Sequence, residues 1–540
     1  MYIDVIRRGT GFEVRELTGI RNVEPKLSLF TKSQNGKYTG LFGDTLIKRE
    51  FDSVRDFRKF MDENEKFGVH GMDKPVIQFL SEYDDITTKK DDLLIYNIDI
   101  EVLASEMPTP QNAIHPITSI CIEIVKTKSY KVLTLAKWDK ANIHERLHDI
   151  KSKIDVITFD TEESLLRKFV AIMRVNKPHM ITGWNINGFD IPYICARISN
   201  ILTDTDVSSL STFGKVDIIE GTDDFGKPSV KYQIRGLIQF DYLELYKKFI
   251  LSHRPNYKLD TIGAIEVGHS KLEFDGTLSD LYHNDPQRYV DYNIMDTRLV
   301  GMIDDKLKLI DLGLYVMYYA KCMPNDIFGT VAVWDCILYN SLKKRDIVVP
   351  FKKSHTKASY GGGYVKDPRL GISEWVVSAD YTSLYPKIIG QCNISPETLV
   401  HQEVFTEGVT ENDFLDGTAK PRYSNHTVTP NGAYYINDIE GVIPHEINKV
   451  FNARKEAKSE SKKLAKEAQK TGCPITLEKS KMLGIREQAL KILINSLYGA
   501  LGNIHFRYYN LVNAEAVTSY GRLSIKFVEK RFNEFLTQLN

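Results

Sequence analysis

A pair of carboxylates lies at metal-ligand spacing in a strand-like part of the chain. Asp99 and Glu101 belong to the run IYNIDIE, and on a strand the side chains of residues i and i+2 point to the same face. Two carboxylates on one apolar strand are costly to bury unless a divalent cation binds them. The pattern leaves open a strand end at which both side chains point into water.

Two further segments carry acidic side chains that could join such a site. Asp190 follows Phe189 in GWNINGFDIPY, where an apolar strand gives way to a helical pattern. In YVDYNIMD, Tyr292 and Asp296 are four residues apart, so on a helix the phenol and the carboxylate share a face. Taken singly, Asp190 could equally cap its helix, and Asp296 could be one satisfied aspartate of an amphipathic helix.

A separate carboxylate, Asp380, ends the apolar run EWVVSAD and precedes the turn YTSLYP. We expect the run to be a strand, so that Asp380 lies at a strand end before a tight turn. Exposed backbone N–H groups in such a turn can bind phosphate oxygens. A capped turn ending at Pro386 is the alternative.

Cations are concentrated on two helical patterns near the end of the chain. The patterns cover about 445–470 and 476–500, and the stop-and-turn sequence TGCP separates them. Between Lys449 and Lys491 there are twelve Lys and Arg residues and five Asp and Glu residues. Candidates for binding a triphosphate and a base share helical spacing: Arg454 and Lys458, then Lys491, Asn495 and Tyr498. A solvated helix face with snorkelling side chains is the alternative.

Composition limits the classes of protein to which the chain can belong. Its 540 residues are 42% hydrophobic and 26% charged, typical of a globular protein of about three or four domains. Lys plus Arg and Asp plus Glu both total 71, so the overall charge does not indicate a nucleic-acid partner. The six cysteines form no CxxC pair, and no apolar run is long enough to span a membrane. We therefore expect a cytoplasmic protein without a membrane anchor.

The elements that must position these residues fall into several groups. Residues 1 to about 95 mix short alternating runs with one amphipathic stretch and predict a small α+β unit. Strand-like runs and then helical runs follow from residue 93, which favours an α/β layer structure. A Gly-rich break at 360–364 and a turn-rich segment at 401–440 precede the two helical patterns.

The order of the motifs resembles a known family. The Asp-x-Glu strand, the Asn-x-x-x-Phe-Asp turn and the Tyr-x-x-x-Asp helix resemble the three exonuclease motifs of the DEDD proofreading nucleases, tyrosine subtype. DYTSLYP and KILINSLYG resemble motifs A and B of the family B DNA polymerases, and YGGGYV resembles the element that links their two halves. The resemblance covers about residues 95–540. GWNINGFDIPY, NISPET and INSLYGALGN are most similar to the replicative polymerases of T-even-like tailed phages.

This resemblance implies a fold class of α/β and α+β multidomain type, with a ribonuclease-H-like 3′–5′ exonuclease domain. The implied boundaries are an N-terminal domain (1–95, with a return segment at about 331–351), the exonuclease domain (96–330), the first part of a palm (352–440), helical fingers (441–503) and an incomplete second part of the palm (504–540). The return segment begins near the run WDCILYNSL.

The resemblance also implies roles for the candidate residues. Two divalent ions, Mg²⁺ or Mn²⁺, would be held in the nuclease site by Asp99, Glu101, Asp190 and Asp296, with Tyr292 orienting the attacking water. Asp380 would bind the metals of nucleotide addition. Contacts to the incoming nucleotide would come from the Leu384 backbone, from Tyr385 as a steric gate against ribose, from Arg454, Lys458 and Lys491 on the triphosphate, and from Asn495 and Tyr498 at the base pair. Primer-template DNA and deoxynucleoside triphosphates are the implied substrates.

One family motif is missing. The family carries a Tyr-x-Asp-Thr-Asp hairpin after motif B, whereas no aspartate follows Asp438 here. We therefore expect excision without addition, and an N-terminal half of a split polymerase. A C-terminal polymerase chain would bring the hairpin, the thumb and the binding of a sliding clamp. A full-length polymerase cut short, and a nucleic-acid-binding or regulatory relative without synthesis, remain the alternatives.

Overall fold

The computed structural model describes residues 1–84, 90–104, 108–110, 112–222, 226, 228–356, 358–359, 361–368, 370–372, 374, 378–400, 411–420 and 423–539. These residues form two compact units. The first unit contains residues 1–25, 83–318 and 323–328, and the second contains 26–82, 319–322 and 329–540. None of the described helices is both long and apolar enough to cross a membrane.

The strands are β1 (Tyr2–Arg8), β2 (Gly11–Glu16), β3 (Gly19–Val23), β4 (Leu27–Lys32), β5 (Tyr38–Gly40), β6 (Thr45–Phe51), β7 (Ile95–Val102), β8 (Ile117–Ile124), β9 (Ser129–Thr134), β10 (Ile154–Thr158), β11 (Met180–Gly183), β12 (Val216–Thr222), β13 (Pro228–Ile234), β14 (Ile238–Asp241), β15 (Ile347–Val348), β16 (His426–Val428) and β17 (Tyr434–Ile436). The helices are α1 (Val54–Asn64), α2 (Pro75–Leu80), α3 (Glu162–Asn176), α4 (Asp190–Ile201), α5 (Asp204–Ser208), α6 (Tyr242–Phe249), α7 (Leu259–Val267), α8 (Leu278–Asn284), α9 (Pro286–Leu307), α10 (Leu309–Ala320), α11 (Thr330–Lys344), α12 (Leu384–Gln391), α13 (Glu411–Asp416), α14 (Val442–Thr471), α15 (Pro474–Leu501) and α16 (Leu511–Leu539).

A mixed six-stranded sheet is the centre of the first unit. Its strand order is β10-β9-β8-β7-β11-β14. The β7–β8 and β8–β9 pairs are antiparallel, and the β9–β10, β7–β11 and β11–β14 pairs are parallel. Apolar side chains of α3 and α4 pack on one face of the sheet, and those of α9 pack on the other. This confirms the α/β layer structure predicted for this part of the chain.

The first three strands belong to the first unit and are tied to it by buried polar contacts. They form an antiparallel sheet, β1-β2-β3. On β1, Asp4 accepts a hydrogen bond from the Gly236 backbone N–H (2.7 Å) and pairs with Arg235 (2.9 Å). On β2, Arg15 donates to the Pro178 carbonyl (2.8 Å). These contacts connect chain segments more than 160 residues apart, so they hold the N-terminal strands against later segments of the same unit.

The second unit combines a small sheet with long helices. The sheet has the order β15-β5-β6-β4, in which β15 runs parallel to β5. Residues that follow α11 therefore pair with the N-terminal segment, and they lie inside the range of about 331–351 predicted for the return. The guanidinium of Arg507 is buried and joins three segments: it pairs with Asp73 and Asp335 and donates to the Pro350 carbonyl (3.0 Å).

The two long helical patterns are confirmed within three residues at each end. α14 and α15 pack side by side as a helical hairpin. Gly472 ends α14 with φ 67°, a left-handed conformation that glycine adopts without strain, and Pro474 begins α15. The stop-and-turn sequence TGCP therefore acts as predicted.

The strand predicted for EWVVSAD is wrong in its described part. Ser378, Ala379 and Asp380 are exposed and outside any strand, and Trp375–Val377 lie outside the described residues. A strand needs a neighbour whose backbone N–H and C=O groups pair with its own. No such neighbour pairs with 378–380 among the described residues. Tyr360 of the Gly-rich break also lies outside them.

Candidate active sites

Strand β7 carries its two carboxylates on one face. Ile98 and Ile100 point into the core shared with α3 and α4, so Asp99 and Glu101 point to the opposite face. On that side α9 covers the strand, and the Asn293 side chain donates a hydrogen bond to Asp99 (2.7 Å). The period of two that predicted a shared face is confirmed, and the alternative of a solvated strand end is excluded because Glu101 is only 6% exposed.

Helix α9 brings a third carboxylate to this face. Carboxylate oxygens of Asp99, Glu101 and Asp296 lie within 4.8 Å of one another, and Asp296 is 2% exposed. Burial raises the pKa of all three groups, and their mutual repulsion raises the pKa of Asp99 and Glu101 further, that of Glu101 to about 8. A buried cluster of this kind stores electrostatic repulsion that a cation can relieve.

Asp190 lies beside the cluster at the start of α4. Its Oδ1 accepts a hydrogen bond from the Ile100 backbone N–H (3.1 Å), between the two carboxylates of β7. Burial raises the pKa of Asp190 to about 7, against the effect of that hydrogen bond. The carboxylate thus faces the strand that carries Asp99 and Glu101. Asp190 is not part of the group formed by Asp99, Glu101 and Asp296, whose oxygens all lie within 4.8 Å of one another.

A buried aspartate that sequence reasoning missed holds the turn before Asp190. Asp241, at the end of β14, accepts hydrogen bonds from the backbone N–H groups of Asn185 (3.1 Å) and Asn187 (2.9 Å). Asn185 has φ 66°. The carboxylate therefore fixes the bend between β11 and α4. Its position at the end of the apolar run LIQF was a signal that could have found it.

Lys271 is the main site residue that the sequence did not indicate. Its ammonium forms an ion pair with Asp296 and lies 2.9 Å from the Tyr292 hydroxyl. Burial lowers the pKa of Lys271, but the Asp296 carboxylate raises it by more, so the ammonium stays protonated. Tyr292 and Asp296 do share one face of α9, as their spacing predicted. Lys271 lies in the loop between α7 and α8, where no periodic pattern identifies it.

A second positioning residue, Asn293, lies next to Tyr292 in the chain. Its amide donates to Asp99, and its side-chain oxygen accepts from the Ser119 hydroxyl (2.8 Å). This chain of contacts fixes the rotamer of Asp99 from β8. Asn293 is fully buried. In the sequence, only its position directly after Tyr292 could have suggested that it supports the site.

The acidic cluster fits a divalent cation. Hard cations prefer carboxylate oxygens, and three carboxylates converge on one point. Asp296 Oδ1 is buried and has no hydrogen-bond partner among the described residues. An unpaired buried carboxylate oxygen is costly, and coordination to a cation would satisfy it.

The second candidate centre contains Asp380, whose side chain is exposed to solvent. Apart from Asp99, Glu101 and Asp296, no group of three potential metal ligands occurs in the described part of the chain. In the turn that follows Asp380, the Tyr381 hydroxyl donates a hydrogen bond to the Ser524 carbonyl of α16 (3.1 Å). Ser383 has a left-handed backbone conformation, with φ 56°. Leu384 then begins α12.

Two predicted nucleotide contacts are brought together in this unit. The rings of Tyr385 on α12 and Tyr498 on α15 have centroids 4.6 Å apart. Gly521 on α16 allows this arrangement, because a Cβ atom there would lie 2.9 Å from Tyr385 Cε1. Tyr385 is half-buried, so part of its ring remains accessible.

The cations of the helical hairpin differ in their surroundings. Arg454 pairs with Glu487 on α15 (2.8 Å), a partner that sequence reasoning missed. Lys458, Lys491 and Asn495 are exposed. Lys491, Asn495 and Tyr498 therefore form an accessible stripe at the predicted helical spacing, whereas Arg454 is held between the helices.

Comparisons with known proteins agree with this architecture. Residues 72–262 match the model of the DNA polymerase family B exonuclease domain, and residues 330–539 match that of DNA polymerase family B. The DNA-directed DNA polymerases of Escherichia phage RB69 and Enterobacteria phage T4 are 33% and 31% identical over 96% of this chain. A DNA polymerase of Pyrococcus glycovorans is 25% identical over 82%. The chain spans 64% of the length of each of the two phage relatives. With both family models matched in chain order and two phage polymerases more than 30% identical over 96% of its length, the chain belongs to the family B DNA polymerases.

Proposed function

We propose that this chain carries the 3′–5′ proofreading exonuclease centre of a replicative DNA polymerase, acting on single-stranded 3′ ends. The observation that supports this most is the convergence of three carboxylates from β7 and α9, two of them buried and one with an unpaired oxygen. Asp190, hydrogen-bonded to the backbone of β7, is the fourth acidic residue of the site. The matching exonuclease-domain family model adds independent support.

In this proposal the protein residues have distinct tasks. Asp99, Glu101, Asp190 and Asp296 would hold two Mg²⁺ or Mn²⁺ ions, which when bound supply a hydroxide and stabilise the attacking and leaving oxygens of an in-line displacement. Tyr292 orients the attacking water through its hydroxyl. Lys271 holds that hydroxyl in place and keeps a positive charge beside Asp296. Asn293 holds Asp99 in the rotamer that faces the cluster.

The second unit would supply part of a nucleotide-addition centre. Asp380 would bind its metals, the Leu384 backbone would meet the triphosphate, and Tyr385 would exclude a ribose 2′-hydroxyl. Lys458 and Lys491 are exposed and free to reach phosphates, and Asn495 and Tyr498 would face the base pair. Arg454 would join them only after its ion pair with Glu487 is exchanged for phosphate.

Addition also needs a second metal-binding aspartate, which we propose comes from residues outside this sequence. They would lie on a C-terminal polymerase chain that brings the Tyr-x-Asp-Thr-Asp hairpin, the thumb and the binding of a sliding clamp. In support, α16 exposes apolar side chains that a partner could cover: Ile525, Phe527, Phe532, Phe535 and Leu536. Primer-template DNA and deoxynucleoside triphosphates would be the substrates, and the site of action would be the cytoplasm of an infected cell.

A gel assay separates the two activities. The chain alone, with Mg²⁺ and a 5′-labelled single-stranded oligonucleotide, should produce a ladder that shortens from the 3′ end, and EDTA should stop it. A primer-template with deoxynucleotides should be extended only after a polypeptide with the missing hairpin is added. Asp380→Ala in the mixture should then remove extension. Extension by the 540-residue chain alone would refute the proposed division, and an intact oligonucleotide would refute the nuclease.

A further inference from the structure

The loop between α7 and α8, residues 268–277, brings two side chains to Tyr292. The Lys271 ammonium lies 2.9 Å from the Tyr292 hydroxyl, and the Phe274 ring packs against the Tyr292 ring with centroids 5.3 Å apart. Between these two residues, Leu272 is 3% exposed and belongs to the same apolar core as Tyr292. The position of this loop therefore determines how the Tyr292 side chain is held.

The loop contains no helix or strand at any of its ten residues, so its backbone polar groups need other partners. At Lys271 the partners are charged side chains. Asp260 of α7 accepts a hydrogen bond from the Lys271 backbone N–H (2.9 Å). On the other side, the Arg146 guanidinium donates to the carbonyls of Ser270 (2.6 Å) and Lys271 (3.3 Å). The backbone that carries the Lys271 side chain is thus held from two directions.

The segment that carries Arg146 is itself attached to α9. Arg146 belongs to a 3₁₀-helical segment, Glu145–Lys153, and its own carbonyl accepts a hydrogen bond from Arg298 of α9 (2.6 Å). Arg298 also pairs with Asp149 of the same segment through two hydrogen bonds (2.9 and 2.6 Å). A circuit of contacts therefore leads from α9 through Arg298 and Arg146 to Lys271, whose ammonium contacts α9 again.

The geometry at Arg146 requires a guanidinium. Its two terminal nitrogens meet the carbonyls of two successive residues, a task for which a planar fork with fixed donors is suited. A lysine ammonium at this position is a single point charge and cannot hold both carbonyls in the same way. Because one of the two carbonyls belongs to Lys271 itself, loosening this contact displaces the ammonium that restrains the Tyr292 hydroxyl.

We propose that Arg146 is a positioning residue for 3′ excision. It fixes the backbone at Lys271 and, through the Lys271 ammonium, the hydroxyl of Tyr292 that orients the attacking water. Its effect on the rate rests on the proposed exonuclease function, whereas its ordering of the loop does not. Arg146 acts through another side chain and is not a ligand of the metals.

Hydrogen exchange of the whole chain tests the ordering of the loop without reference to activity. In Arg146→Ala, amides in peptides from residues 268–277 should exchange about tenfold faster than in the wild type, because a charged hydrogen-bond donor is lost. Arg146→Lys should give an intermediate rate. Arg167→Ala removes an exposed arginine of α3 in the same unit and should leave this exchange unchanged. Equal exchange in the Arg146→Ala variant and the wild type would overturn the proposal.

Single-turnover excision of a 5′-labelled single strand tests the consequence for the reaction. Arg146→Ala should lower the maximal rate by about 10-fold or more, and the oligonucleotide concentration that gives half of this rate should stay the same. Arg146→Lys should recover part of the rate. In the Lys271→Met background, Arg146→Ala should lower the rate by less than about twofold further, because the ammonium through which it acts is already gone.

The double variant separates positioning from a general loss of stability. If the losses of Arg146→Ala and Lys271→Met multiply, Arg146 does not act through Lys271 and the proposal is overturned. If the wild-type chain does not excise, the proposed nuclease function fails, and hydrogen exchange still decides whether Arg146 orders the loop. Melting curves identify any variant that does not fold, and Arg146→Lys then takes the place of Arg146→Ala in both measurements.

Discussion

The ammonium nitrogen of Lys271 lies 2.9 Å from the hydroxyl oxygen of Tyr292. The same ammonium pairs with Asp296, one turn further along α9. A loop lysine thereby connects the phenol and a carboxylate that the motif places four residues apart. The contact restrains the Tyr292 hydroxyl and partly balances the charge of the acidic cluster.

Replacing Lys271 should separate the rate of excision from the binding of metal. Lys271→Met keeps an unbranched side chain, one atom shorter, and removes its charge. We expect the excision rate to fall about 10- to 100-fold because Tyr292 loses its restraint. The Mn²⁺ concentration for half-maximal activity should not rise, because a competing cation has been removed. Lys271→Arg should retain more activity. A normal rate, or a raised metal requirement, would contradict the positioning role.

Tyr385 should determine the choice between deoxyribose and ribose in a complex that supplies the missing aspartate. Tyr385→Ala should raise ribonucleotide incorporation selectively, because the ring no longer blocks the 2′-hydroxyl. Single-nucleotide incorporation with matched deoxy- and ribonucleotides measures the ratio. A parallel fall in both rates would instead identify Tyr385 as a packing residue for Tyr498.

Gly521 should be required for the position of the Tyr385 ring. Alanine favours a helix over glycine by up to about 1 kcal/mol, so Gly499→Ala, whose new Cβ would meet no atom within 4 Å, should raise the melting temperature. Gly521→Ala should not do so, because its Cβ would lie 2.9 Å from Tyr385 Cε1. Equal gains in thermal melting for the two variants would show that Tyr385 has room to move.

Asp4 should make the stability of the first unit depend on pH. Burial raises its pKa from 3.8 to about 6, although Arg235 opposes the shift. Between these values the folded chain holds more protons on Asp4 than the unfolded chain, so the stability contributed by Asp4 falls as the pH rises. Asp4→Asn removes this titration.

The free energy of unfolding of Asp4→Asn, relative to wild type, should therefore increase from pH 4 to pH 6.5. The increase should be at most about 3 kcal/mol. Urea denaturation measures it, and Asp155→Asn, which changes an exposed aspartate of the same unit, is the control. A difference that does not vary with pH would mean that Asp4 keeps its ordinary pKa in the folded chain.

The features that local spacing determines could be predicted from the sequence. The period of two placed Asp99 and Glu101 on one face, and the period of 3.6 placed Tyr292 beside Asp296. Glycine and proline at 472 and 474 located the break between α14 and α15, because each restricts the backbone in a known way.

The features that depend on tertiary contacts could not be predicted. Lys271 comes from a loop, so only the folded chain brings it to Asp296. Glu487 meets Arg454 only when α14 and α15 lie side by side, a register that neither helix encodes alone. Ser378 and Ala379 end a run of strand-like composition, but no described strand pairs with them, and composition does not reveal whether a pairing neighbour exists.

The most direct test of the account is excision of a 5′-labelled single strand by the Asp190→Ala, Asp296→Ala double variant in Mg²⁺. Each change removes a proposed metal ligand from the buried cluster, whereas Asp155→Ala removes an exposed carboxylate from the same sheet and serves as the control. We expect the double variant to lose 3′ excision by at least about 100-fold while the control digests DNA at the wild-type rate. Undiminished digestion by the folded double variant would show that the nuclease site is elsewhere.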